Sequence, residues 1–95
     1  MSQITGSTTI VSSDETLSTT LDGEAVILHT GSGQYFGFNE VGSDIWELID
    51  EPHTVAEVTD HITDKYDVKK ARCREDIDEL LEELIRKELV QVIEE

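Results

Sequence analysis

Apolar positions change period about halfway along the chain. From Leu17 to Phe38 they fall in short runs broken by turn residues, and from Glu40 onward they recur every three or four positions. The Thr-rich segment Leu17 to Leu21 predicts a first strand. Asp22-Gly23 follows, a pair suited to the positive φ angles of a two-residue hairpin loop. Glu24 to Thr30 (EAVILHT) is the most strand-like stretch, and its unbroken β-branched centre predicts a central strand. Gly31-Ser32-Gly33 makes a second turn, and Gln34 to Phe38 (QYFGF) a short aromatic strand at the edge of a three-stranded antiparallel meander. Gly37 within it weakens a strand and often marks close approach by another backbone.

The helical half opens at Asn39, a good N-cap. Val41, Ile45, Leu48 and Ile49 lie on one face of a helix from Glu40 to about Ile49, with Trp46 beside the stripe. Asp50-Glu51-Pro52-His53 stops it. Thr54-Val55-Ala56-Glu57 is a capping-box sequence that starts a second helix, to about Lys65, with Val55, Val58 and Ile62 inward. A third and longer helix is expected from Asp67 to about Glu88, its apolar face made of Cys73, Ile77, Leu80, Leu81, Leu84 and Ile85. Leu89, Val90, Val92 and Ile93 would dock as a short extended tail. Strands followed by helices make an α+β domain whose helix–turn–helix spacing resembles a winged-helix unit. The first 20 residues hold 11 Ser and Thr, so residues 1–13 are expected to form a mobile tail and residues 14–95 one domain.

Charge narrows the function. The 95-residue chain carries 22 acidic and 7 basic residues, a formal net charge of -15. Such a surface repels phosphate backbones and attracts a basic partner, although acidic surfaces also serve solubility at high salt. A winged-helix DNA-binding regulator is the rival that the helix spacing raises. From Ala71 to the C-terminus, nine acidic residues stand against four basic, the wrong sign for a DNA-reading helix. No apolar run suits a membrane span, and Met1 to Ser13 lacks the pattern of a signal peptide. The single Cys73 fits a reducing compartment, so a cytoplasmic protein is expected.

Catalytic and metal chemistry find little footing. His29, His53, His61 and Cys73 are scattered without ligand spacing, so no metal or other cofactor is expected. Cys73 reads as a small core residue, and flanking Arg72 and Arg74 point elsewhere on a helix. The carboxylates Glu75, Asp76, Asp78, Glu79, Glu82 and Glu83 read as a solvated outer face. The protein is therefore expected to be no enzyme. What remains is the edge strand Tyr35 to Phe38, whose unpaired backbone groups invite an added strand. They would equally permit a homodimer by strand pairing or exchange.

Four stretches together resemble a known family: Gly23-Glu24-Ala25-Val26-Ile27-Leu28, Gly33-Gln34-Tyr35-Phe36-Gly37-Phe38-Asn39-Glu40-Val41-Gly42, Ile45-Trp46-Glu47-Leu48-Ile49 and Thr54-Val55-Ala56-Glu57-Val58. They are similar to the PqqD-like family, over about Thr16 to Val92. The resemblance implies a recognition element for ribosomally made, post-translationally modified peptides. It would bind the leader segment of a precursor peptide as an added strand and present the core to a modifying enzyme, such as a radical SAM protein or leader peptidase. Carried onto this chain, the groove takes Gln34, Tyr35, Phe36, Gly37 and Phe38 on the sheet side. Its helix side is drawn from Cys73, Arg74, Asp76, Ile77, Leu80, Leu81 and Leu84, with Arg72 and Arg74 available to an acidic leader residue and Asp76 and Glu79 to a basic one. The family tends to place Pro near the start of the third helix and Gly near its end. This chain has Lys69-Lys70 and Glu88 there, and Phe38 replaces a Leu.

Overall fold

The computed structural model describes residues 4–93. The meander forms as the turn chemistry predicts: β2 (Thr16–Leu21), β3 (Glu24–His29) and β4 (Gln34–Gly37) pair antiparallel in the order β2-β3-β4. Asp22 (φ 55) and Gly23 (φ 83) both adopt the left-handed region in the first hairpin. Along β3, Ala25, Ile27 and His29 are buried on the inner face while Val26 and Leu28 are half-buried on the outer.

Helix α1 (Glu40–Leu48) starts at Asn39, whose Oδ1 accepts the Gly42 amide at 2.9 Å. Gly42 lets that first turn close on the sheet, because a Cβ there would lie 3.0 Å from Phe38 Cβ. Ser43 ties the two layers: its Oγ accepts the Ala25 amide at 2.7 Å and donates to the Phe38 carbonyl at 3.4 Å. Helix α2 (Val55–Lys65) carries the full capping box, Glu57 N–H to Thr54 Oγ1 at 3.1 Å and Thr54 N–H to Glu57 Oε1 at 2.8 Å. That reciprocal bond holds the Glu57 carboxyl below its ordinary value. Helix α3 (Lys70–Arg86) begins three residues later than expected and ends in a Schellman pair, Leu89 N–H to Leu84 C=O and Glu88 N–H to Ile85 C=O. Glu88 sits at φ 63, a left-handed backbone that strains a residue other than glycine.

The structure corrects the sequence reading at the N-terminal end. The expected tail of residues 1–13 contains β1 (Thr9–Ser12), which pairs antiparallel with β6 (Val90–Ile93) and with β5 (His53–Thr54) in the order β5-β1-β6. Ile10 is fully buried within this second sheet, and its burial anchors the segment. Residues 1–3 of the expected tail lie outside the described residues. The C-terminal apolar residues form the short extended segment expected, paired as β6, with Leu89 and Val90 buried. One core joins Ile10, Ile27, Ile45, Trp46, Ile49, Val55, Val58, Ile62, Ile77, Leu81, Leu84 and Leu89 across both sheets and all three helices.

Candidate functional site

Strand β4 ends its sheet, and among the described residues no strand pairs with its far side. Hydrogen-bonded and non-bonded pairs alternate along antiparallel strands. Phe38 donates its N–H to the Ala25 carbonyl. Phe36, opposite Ile27, and Gln34, opposite His29, therefore also turn their backbone groups toward β3. The N–H and C=O of Tyr35 and Gly37 consequently point out of the sheet. Gly37 carries no positive φ, and a Cβ there would meet nothing within 4 Å, so no neighbour within the chain demands glycine.

Beside this edge lies a cleft of about 540 Å³ between β4 and α3, floored by α1 and α2. Gly37 and Phe38 form its sheet side, and Cys73, Asp76, Ile77 and Leu80 its α3 side. Val41, Gly42 and Ile45 come from α1, and Ile62, Tyr66, Val68 and Arg72 complete the wall. The Phe38 ring packs at 49° against Trp46, with centroids 5.8 Å apart, which fixes the sheet side of the cleft on α1. Charge is confined to the mouth. Arg72 and Asp76 face each other there at 3.7 Å, both largely exposed.

Tyr66 is a further polar group in the wall. Its hydroxyl donates to Asp44 on α1, and Lys65 Nζ reaches the same carboxylate oxygen at 2.9 Å. The Asp44 bond pushes the Tyr66 phenol up to about 12, while the Tyr66 and Lys65 bonds hold Asp44 below its usual range. This cluster pins the middle of α1 to the end of α2. Cys73 is buried in the α3 wall, and burial raises its thiol, with Asp76 adding to the effect. A group held protonated in this way is a poor nucleophile.

The structure therefore brings Gly37, Phe38, Cys73, Asp76, Ile77 and Leu80 together, six of the expected site residues. Gln34, Tyr35 and Phe36 lie on the edge strand without lining the cleft. Tyr35 projects from the outer face, and Phe36 packs under Lys87, whose Nζ sits 5.0 Å from the ring centroid. Arg74, Leu81 and Leu84 are not at the cleft. Arg74 bonds Asp78 at 2.8 Å and faces the segment around Gly6, while Leu81 and Leu84 are buried in the core. The α1 and α2 contributions to the cleft were not legible in the sequence, although Asn39 was read as the N-cap of α1 beside Phe38. Among the described residues, no group of three or more His, Cys, Asp or Glu could hold a metal ion. Among them also, no helix is long and apolar enough to cross a membrane.

An open strand edge flanked by an apolar cleft and a helix is the arrangement of a peptide-recognition module, in which backbone and side chains are read together. The chain belongs to the PqqD family: residues 24–90 match the family of Coenzyme PQQ synthesis protein D. Among solved structures it is similar to TbiB1 in complex with the TbiA(beta) leader peptide, with 35% identity and a TM-score of 0.82 over 90% of this chain and 99% of that one. Lasso peptide synthetase B1 complexed with the leader peptide has the same fold at 23% identity, with a TM-score of 0.77 over 86% of this chain and 96% of that one. No curated protein matches the sequence.

Proposed function

We propose that this chain is a non-catalytic recognition element of the cytoplasm. It binds the leader of a ribosomally synthesised precursor peptide and delivers the attached core to a modifying enzyme. The carrying observation is the free edge of β4 beside the cleft, which supplies unpaired backbone groups and an apolar pocket to one extended guest. The guest strand hydrogen-bonds the outward N–H and C=O of Tyr35 and Gly37. One bulky apolar leader side chain enters between Phe38, Ile77 and Leu80. Arg72 and Asp76 at the mouth meet polar leader residues of either sign. The solved complexes of TbiB1 and of lasso peptide synthetase B1 with leader peptides support the reading.

Mechanistically, the chain contributes binding alone. Leader capture turns the meeting of core and enzyme into an event within one assembly, raising the effective concentration of the core. A DNA-binding role finds no favourable charge, since α3 carries Glu75, Asp76, Asp78, Glu79, Glu82 and Glu83. Calorimetric titration with a synthetic peptide spanning the leader of its precursor tests the proposal. Saturable one-to-one binding is expected, and binding by the core segment in preference to the leader would overturn it.

A further inference from the structure

The outer face of the meander is the second surface that asks for a partner. Cross-strand register places Leu17, Leu28 and Tyr35 in one row, with Thr19, Val26 and Gly37 in the next. Leu17 is 63%, Leu21 60% and Tyr35 71% exposed. These are three of the five large apolar side chains exposed among the described residues, and all three stand on this face. Apolar side chains gathered in register on one sheet face form a contiguous patch, the usual mark of an interaction surface.

Charge says what kind of partner fits. Residues 1–64 contain no Lys or Arg, and Glu24 stands directly across from Leu21 on this face, with Asp22 in the adjoining turn. All seven cations lie between Lys65 and Lys87, and five of them are already held in ion pairs with Asp44, Asp60, Asp76, Asp78 and Glu83. A second copy would bring acid against acid, with -15 on each side. An anionic membrane is repelled for the same reason. A protein with an apolar patch ringed by Lys and Arg is complementary in both respects.

The face is also continuous with the peptide site. A guest added to β4 extends the sheet, so its alternate side chains join the rows of Leu17–Leu28–Tyr35 and Thr19–Val26–Gly37. We propose that the outer face of β2–β4 docks the modifying enzyme, through a basic-rimmed apolar surface that contacts this chain and the bound leader together. The proposal rests on the leader-binding reading and names the partner surface it leaves open.

The test titrates the purified modifying enzyme that acts on the same precursor against the full chain, the Leu17→Ser/Leu21→Ser variant and Glu24→Lys. Both leucines and Glu24 are exposed, so folding survives, and circular dichroism confirms it. Leader affinity, measured in parallel, stays within about twofold because β2 is two strands away from the guest. The double variant loses about tenfold or more in enzyme affinity. Glu24→Lys weakens binding severalfold and flattens its salt dependence. Equal enzyme affinity for wild type and double variant overturns the docking face while leaving leader binding intact. A wild-type dimer in sedimentation that the double variant abolishes assigns the face to a second copy and also overturns it. Failure of the leader to bind wild type brings down the leader-binding reading itself.

Discussion

Among the described residues the meander has two unpaired margins, and they are not equivalent. At β2, the outward backbone groups belong to Thr16, Ser18 and Thr20, by the same alternation that turns Tyr35 and Gly37 outward on β4. Both margins can hydrogen-bond a passing strand. Across from β4 stands α3, with an apolar cleft between the two. Backbone pairing gives affinity for any extended chain, and pockets for side chains give selection. The β2 margin is Thr-rich and almost fully exposed, which keeps its edge hydrated and unselective. An open edge alone thus does not make a site; the edge becomes one where the helical layer leaves a gap.

Removing the cleft is the largest blow to that difference. Leu80→Glu places a carboxylate where the apolar anchor should sit, on a half-buried helix position that Glu suits. Losing an apolar contact of about 2–3 kcal/mol predicts a roughly hundredfold weaker leader, read by calorimetry. A matched pair compares the margins directly. Tyr35→Pro and Ser18→Pro each remove one outward N–H without touching a bond to β3. Tyr35→Pro is expected to weaken the leader by about tenfold, the worth of about one hydrogen bond, and Ser18→Pro to leave its affinity unchanged.

Smaller effects sharpen the account of the walls. Glu88→Gly relieves the left-handed residue after α3 and is expected to raise stability by about 1 kcal/mol in denaturant melts, with leader affinity unchanged. Tyr66 tests the α1–α2 clamp. Its phenol is raised by the Asp44 bond to about 12, so its contribution to stability is complete below pH about 10 and is lost as pH rises through about 12. Ultraviolet titration should show this late phenolate in wild type and an earlier one in Asp44→Asn.

Much of this was legible along the chain because its signals are local. Asp22-Gly23, Asn39 and Thr54-x-x-Glu57 each encode a turn or cap within four residues, and all form where expected. The sheet of β1, β5 and β6 was not legible. Ile10-Val11 is too short a run to announce a strand, and its partners lie some 40 and 80 residues away. Pairing at that range leaves no local pattern. The α3 stripe was legible as apolar but not divisible. Cys73, Ile77 and Leu80 reach the cleft while Leu81 and Leu84 enter the core, and only the placement of β4 and α1 decides between them. Val41, Ile45, Ile62 and Tyr66 were missed for the same reason, since the cleft floor exists only once α1 and α2 are packed.

Amide chemical shifts of the labelled chain, followed while its precursor leader is added, test the central claim most directly. The largest changes are expected at Tyr35, Gly37 and Phe38 and along Cys73 to Leu80, with the amides of Thr16 to Leu21 nearly still. Changes concentrated on Thr16 to Leu21, with β4 and α3 unmoved, would contradict it.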